Sequence, residues 1–114
     1  MKPKEIKKML SKANIIYCDI DYTITKEKDS GFNEKSCFTA TPNLKMRDIL
    51  NSYYYKGKAI IFYTSRRWAK REATEYWLQK NEFKYHSVVM QKPNYDVFIC
   101  DKAINSRDIL KATS

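Results

Sequence analysis

Two aspartates, Asp19 and Asp21, stand two positions apart after the apolar run Ile15-Ile16-Tyr17-Cys18, and Thr23 and Thr25 follow them. A short apolar run bounded by polar residues predicts a buried strand. Carboxylates at its end place negative charge at a sheet edge, which is unfavourable unless a cation lies close by. Such a pair suits two kinds of chemistry. Its hard oxygens can hold Mg²⁺, and one carboxylate can act as nucleophile or proton carrier. The same residues also suit the capping of a turn or helix, and this segment alone leaves both readings open.

Three further segments place polar groups beside apolar runs. Thr64-Ser65-Arg66 follows Ala59-Ile60-Ile61-Phe62-Tyr63, Lys92 comes shortly after Ser87-Val88-Val89-Met90, and Asp101 ends Asp96-Val97-Phe98-Ile99-Cys100. Each apolar run is expected to be a strand. The segments between them read as helices. Residues 3–12 carry Ile6, Met9 and Leu10 at helical spacing, and Thr41-Pro42 is expected to open a second helix with Leu44, Ile49, Leu50 and one of Tyr53–Tyr55 facing inward. Lys56-Gly57 ends that helix. A third helix is expected from Trp68 to Lys80, with Ala69, Ala73, Tyr76 and Trp77 on one face and both tryptophans packed on the sheet; a last short one lies near Ser106–Lys111. Residues 26–38 read as a loop or small hairpin.

Strands that alternate with helices imply a parallel α/β sheet covered on both faces. In such a sheet the carboxyl ends of the strands share one edge, where ligands bind. Asp19, Thr64, Ser65 and Asp101 should therefore converge on one crevice. Cys18 and Cys100 each precede an aspartate on strands expected to be neighbours, and read as small buried core residues. His86, the one histidine, receives no catalytic role.

With 114 residues the chain is expected to be a single domain, 1–114. No apolar run approaches the roughly 18 residues of a membrane span. The basic N-terminus lacks the apolar stretch of a signal peptide, and three cysteines without disulfide or zinc spacing suit a reducing cytoplasm. Net charge is +9, from 22 Lys and Arg against 13 Asp and Glu, which favours phosphates, nucleic acid or acidic partners. The charge falls in short clusters, including Arg66–Arg71, a pattern that also describes a solvated surface.

Together the segments resemble the four motifs of the haloacid dehalogenase-like phosphohydrolases. Asp19, Asp21 and Thr23 fill an Asp-x-Asp-x-Thr pattern on the first strand; Thr64 closes the second strand, Lys92 fits the third motif, and Asp101 fits the fourth. The resemblance runs from Asn14 to Asn105. A narrower one, carried by Lys92-Pro93-Asn94-Tyr95-Asp96 leading to Asp101-Lys102-Ala103, is to a small branch associated with capsular and lipopolysaccharide biosynthesis. Two positions depart from the pattern: Tyr22 stands where the family usually has Gly, and Cys100 where that branch has the first Asp of a pair.

The resemblance implies a Rossmann-like three-layer α/β/α sandwich with a small parallel sheet and no large cap domain. It implies a Mg²⁺-dependent phosphatase, the ion lying among Asp19, Asp21 (through its carbonyl) and Asp101. Asp19 would be the nucleophile that forms an aspartyl-phosphate, and Asp21 the general acid and base. Thr64, Ser65, Lys92 and Arg66 would hold phosphate, with Arg66 alternatively pointing to solvent. The open site suits a sugar phosphate or glycan precursor first and a polynucleotide end second, with a homo-oligomer as one means of covering it. Tyr22 and Cys100 are what a catalytically impaired module binding nucleic acid or an acidic partner would show. Specificity is expected to reside in residues 26–40.

Overall fold

A computed structural model describes residues 1–26 and 38–112 of the chain. The elements follow the order α1 (Pro3–Lys12), β1 (Ile15–Cys18), α2 (Leu44–Tyr55), β2 (Ala59–Tyr63), a 3-10 turn (Trp68–Lys70) that leads into α3 (Arg71–Lys80), β3 (Ser87–Val89) and α4 (Ser106–Ala112). The strands form a parallel sheet in the order β1-β2-β3. This is a small Rossmann-like α/β arrangement with flanking helices. Residues 27–37, which make up nearly all of the expected loop or hairpin at 26–38 and most of the expected specificity segment 26–40, lie outside the described residues. Among the described residues no helix is long and apolar enough to cross a membrane.

Register sorts the side chains into two faces. Ile16 pairs with Ile60, Cys18 with Phe62, and Phe62 in turn with Val88, so these residues share one side. On that side Ile60, Phe62 and Val88 pack with Ile20, Ile24, Met46, Leu50, Trp77 and Leu78 into the main core. Ile6 and Leu10 of α1 form a smaller cluster with Ala112 of α4, joined to the sheet through Ile16. The opposite side carries Tyr17, Ile61, Tyr63 and Val89 and is only partly covered. Tyr17 and Tyr63 meet there edge to face, their centroids 5.7 Å apart.

Several expectations are corrected. β1 is not a buried strand: Ile16 and Cys18 are half-buried and Ile15 and Tyr17 exposed, because among the described residues only one face of this strand is packed against the core. The expected fourth strand at Asp96–Cys100 is absent. Its apolar side chains point outward, Ile99 being 93% exposed, and Tyr95 packs on Phe98 at 5.4 Å instead of a ladder forming along β1. Cys100 is accordingly exposed and not a core residue, whereas Cys18 is half-buried and packs against the main core. On α3 the buried residues are Ala73, Thr74, Trp77 and Leu78, whereas Tyr76 and, on the preceding turn, Trp68 are exposed. Pro42 does not open α2. It bridges Thr25, and Asn43 caps the helix by accepting the Met46 amide at 3.1 Å, which exposes Leu44 and brings Met46 inward.

The end of α2 follows expectation. The amides of Gly57 and Lys58 donate to the carbonyls of Tyr54 and Tyr53 at 3.0 and 3.1 Å, the paired bonds of a Schellman cap. Gly57 has φ +93°, and a Cβ built there would touch nothing within 4 Å. Any penalty for a side chain therefore comes from the backbone alone. Gly57→Ala should lower the unfolding free energy by about 1–2 kcal/mol, and Gly57→Asn by less, since Asn tolerates the left-handed region. Urea unfolding of the three proteins checks this, and an unchanged midpoint for Gly57→Ala would refute it.

Candidate active site

At the end of β1 the chain turns sharply. The amides of Thr23, Ile24 and Thr25 all donate to the Ile20 carbonyl at 2.9–3.2 Å, and Thr25 Oγ1 accepts the Tyr22 amide at 3.1 Å. Buried Ile20 and Ile24 anchor this turn in the core, which leaves Asp19 and Asp21 to project from it. Tyr22 takes φ +61° at its tip. That conformation favours glycine, so the residue departing from the family pattern sits where the backbone is strained by about 1–2 kcal/mol. Its ring is exposed, and no bulky neighbour has to make room for it.

Each carboxylate has its own cation. Lys92 Nζ lies 3.0 Å from Asp19 Oδ2, while Asp19 Oδ1 accepts the Ile20 amide at 2.8 Å. The ammonium also lies 5.5 Å from the centroid of Tyr63 and 5.3 Å from that of Tyr95, flanked by two aromatic faces. Arg66 forks around Asp21, with Nη2–Oδ1 at 2.9 Å and Nε–Oδ2 at 3.3 Å. Its remaining arm, Nη1, donates to Thr74 Oγ1 at 2.9 Å. Arg66 is buried, so it neither projects to solvent nor presents its guanidinium openly; it is spent on Asp21.

The two loops that supply these cations are tied through their backbones. Thr64 donates its amide to Val89 and accepts that of Lys92 at 2.8 Å, and the Gln91 amide donates to the Arg66 carbonyl at 2.8 Å. Gln91 adopts φ +61° to make this link. Thr64 is fully buried, and its Oγ1 accepts the Arg66 amide at 3.2 Å. Ser65 beside it is exposed. Asp19, Asp21, Thr64, Arg66 and Lys92 thus form one connected set.

Asp101 is not in that set. It occupies an exposed bend, where the Cys100 thiol lies 3.9 Å from its Oδ1, and among the described residues no three His, Cys, Asp or Glu side chains gather closely enough to hold a metal ion. Asp19 is the carboxylate open to an added ion, its side chain being 43% exposed. It faces a cleft of about 740 Å³ that Tyr17, Tyr63, Lys92, Tyr95 and Phe98 also line. Burial, with the Asp19 carboxylate beside it, pushes the Cys18 thiol up to about 12, so Cys18 stays protonated and is no nucleophile. His86 accepts the Ile60 amide through Nδ1 at 3.1 Å, a structural bond.

Sequence reasoning missed Thr74 and Gln91. A threonine on the apolar face of a helix, eight residues after an arginine, was the available signal for the first; a glutamine before a lysine offers none. Thr74→Val keeps the shape and removes the acceptor, leaving a buried guanidinium arm short of a bond. We expect a loss of about 1–3 kcal/mol in urea unfolding. A neutral effect would mean that Arg66 does not depend on Thr74.

Residues 13–109 match the family model described as the polynucleotide kinase PNKP phosphatase domain. The fold is similar to the crystal structure of a target protein from Vibrio cholerae, with TM-score 0.73 and 21% identity over 85% of this chain and 87% of that one. It is also similar to chains of two structures described as the Pnkp1/Rnl/Hen1 complex and the Pnkp1/Rnl/Hen1 RNA repair complex, with TM-scores of 0.61 and 0.60 and identities of 22% and 23% over 77% and 87% of this chain. The chain spans only 31% and 30% of those two. No curated protein matches the sequence at significance. The chain belongs to the family of polynucleotide kinase phosphatase domains and is a phosphatase of the haloacid dehalogenase-like superfamily.

Proposed function

We propose that residues 1–114 act as one phosphohydrolase domain that removes a terminal phosphoryl group from a polynucleotide. The observation that carries the chemical part is the separate pairing of Asp19 with Lys92 and of Asp21 with Arg66, which gives two adjacent carboxylates different surroundings and so different tasks. The substrate class rests on the family match together with the net charge of +9. A polynucleotide end therefore takes precedence over the sugar phosphate or glycan precursor that the sequence alone ranked first. Free thiols at Cys18 and Cys100 suit the reducing cytoplasm expected from the cysteine count.

In this reading Asp19 attacks phosphorus. A bond forms from its carboxylate oxygen as the ester P–O bond breaks, giving an aspartyl-phosphate. Asp21, oriented by Arg66, gives the departing oxygen a proton and later takes one from the water that releases inorganic phosphate. Lys92 pairs with the transferred phosphoryl oxygens as it pairs with Asp19, and the Thr64-Ser65 segment supplies further donors. Arg66 acts here as a positioning residue.

Mg²⁺ suits the hard oxygen donors, because one or two carboxylates with water and substrate phosphate complete its shell. Asp19 would hold it, with the Asp21 carbonyl; Asp101, the third ligand that the resemblance implies, lies outside the connected set. When bound, the ion neutralises charge on the phosphoryl group.

Asp19→Asn should cut phosphate release from 3′- or 5′-phosphorylated oligonucleotides by on the order of 10³ or more, the scale on which loss of a nucleophile acts. Thermal stability should stay near wild type, and a chelator should reproduce the loss in the unmodified protein. Turnover surviving in Asp19→Asn would reject the assignment. Salt-sensitive oligonucleotide binding without turnover in either protein would instead indicate a binding module.

A further inference from the structure

The basic cluster at Arg66–Arg71 is only partly used by the site: Arg66 is committed to Asp21, while its neighbours are not explained. The most unusual of them is Trp68. The fold buries its other tryptophan, Trp77, to 1% exposure and stacks it on Phe83 at 5.4 Å, yet leaves Trp68 56% exposed. Trp68 is nevertheless held in place. The Arg71 guanidinium carbon lies 5.3 Å from its ring centroid, and Arg71 is itself tethered to Glu75 at 3.3 Å. The Trp68 amide donates to Gln91 Oε1 at 3.2 Å. Gln91 is the residue whose own amide ties it to Arg66 and which directly precedes Lys92.

An aromatic ring is thus fixed on the two loops that carry Thr64 and Lys92, with a cation behind it and much of its surface in water. Arg67 and Lys70 add positive charge beside it, against Glu72 and Glu75 one turn further on. Every nucleobase offers a π face, and exposed aromatics set among cations are how proteins hold single strands without reading sequence. We propose that Trp68 is the stacking platform for the base of the nucleotide that carries the terminal phosphate. This inference rests on the polynucleotide reading above and adds to it the requirement for an unpaired base at the strand end.

The test crosses the protein with the substrate. Phosphate release with Mg²⁺ is measured for wild type, Trp68→Ala and Trp68→Phe on single-stranded oligonucleotides whose phosphorylated terminal nucleotide is either intact or abasic. Wild type should prefer the intact end by roughly 5- to 100-fold in kcat/KM, chiefly through KM. Trp68→Ala should lose that preference while treating the abasic end as wild type does, and Trp68→Phe should recover most of it. In a parallel titration the oligonucleotide should quench tryptophan emission in wild type and not in Trp68→Phe, where only buried Trp77 remains. Equal turnover of intact and abasic ends by wild type, or a preference undiminished in Trp68→Ala, would overturn the platform and leave the polynucleotide reading standing. Hydrolysis of an aryl phosphate with none of any oligonucleotide would overturn both.

Discussion

Two carboxylates on one tight turn repel each other, and the site depends on how that repulsion is answered. The turn supplies no cation of its own at close range. Instead Arg66 comes from the loop after β2 and Lys92 from the loop after β3. The cations can reach because parallel pairing in the order β1-β2-β3 brings all three strand ends to one edge. Their placement is then made definite by the backbone bonds between Thr64 and Lys92 and between Arg66 and Gln91. Removing one partner of a buried pair of this kind commonly costs about 3–5 kcal/mol, because an uncompensated charge stays behind. The Asp21–Arg66 pair is therefore a structural commitment as much as a chemical one. Asp19, 43% exposed, keeps its pairing with Lys92 nearer to solvent, which is why the proposed reading gives that pair the exchange with phosphate.

The same asymmetry explains why strain is tolerated here. Tyr22 and Gln91 both take φ near +61°, one on the aspartate turn and the other beside Lys92. Each is held by hydrogen bonds on its own amide, to Thr25 Oγ1 and to the Arg66 carbonyl. Left-handed backbone at a residue other than glycine persists only where its surroundings over-determine it. These surroundings do so on the turn that carries Asp19 and Asp21 and on the residue next to Lys92.

Much of this was legible beforehand, and the reasons are specific. Asp19, Asp21, Thr64 and Lys92 could be placed because each adjoins an apolar run whose period and length mark a strand, and strand ends in parallel sheets coincide. The Schellman cap at Gly57 was readable because glycine is nearly required there. The segment 96–100 failed on the same logic. Its composition is that of a strand, but a strand needs a ladder partner, and composition does not say whether β1 offers its outer edge. Helix faces failed for a related reason: on α3, Tyr76 is exposed while Thr74, which periodicity treats as polar, is buried as the acceptor for a buried arginine.

The openness of the site bears on what it can act on. Phosphoryl transfer through a carboxylate works best with bulk water excluded, since competing hydrogen bonds weaken every electrostatic contact. Yet Asp19 remains 43% exposed beside a cleft of about 740 Å³, and one face of the sheet is only partly covered among the described residues. A small sugar phosphate would leave that cleft wet. A polynucleotide end brings its own bulk, and its flat bases can cover aromatic surface while its remaining phosphates meet a strongly basic protein. On the reading we propose, the polynucleotide itself takes the part of a lid, and the exposed rings around Lys92 and the positive charge belong to one arrangement.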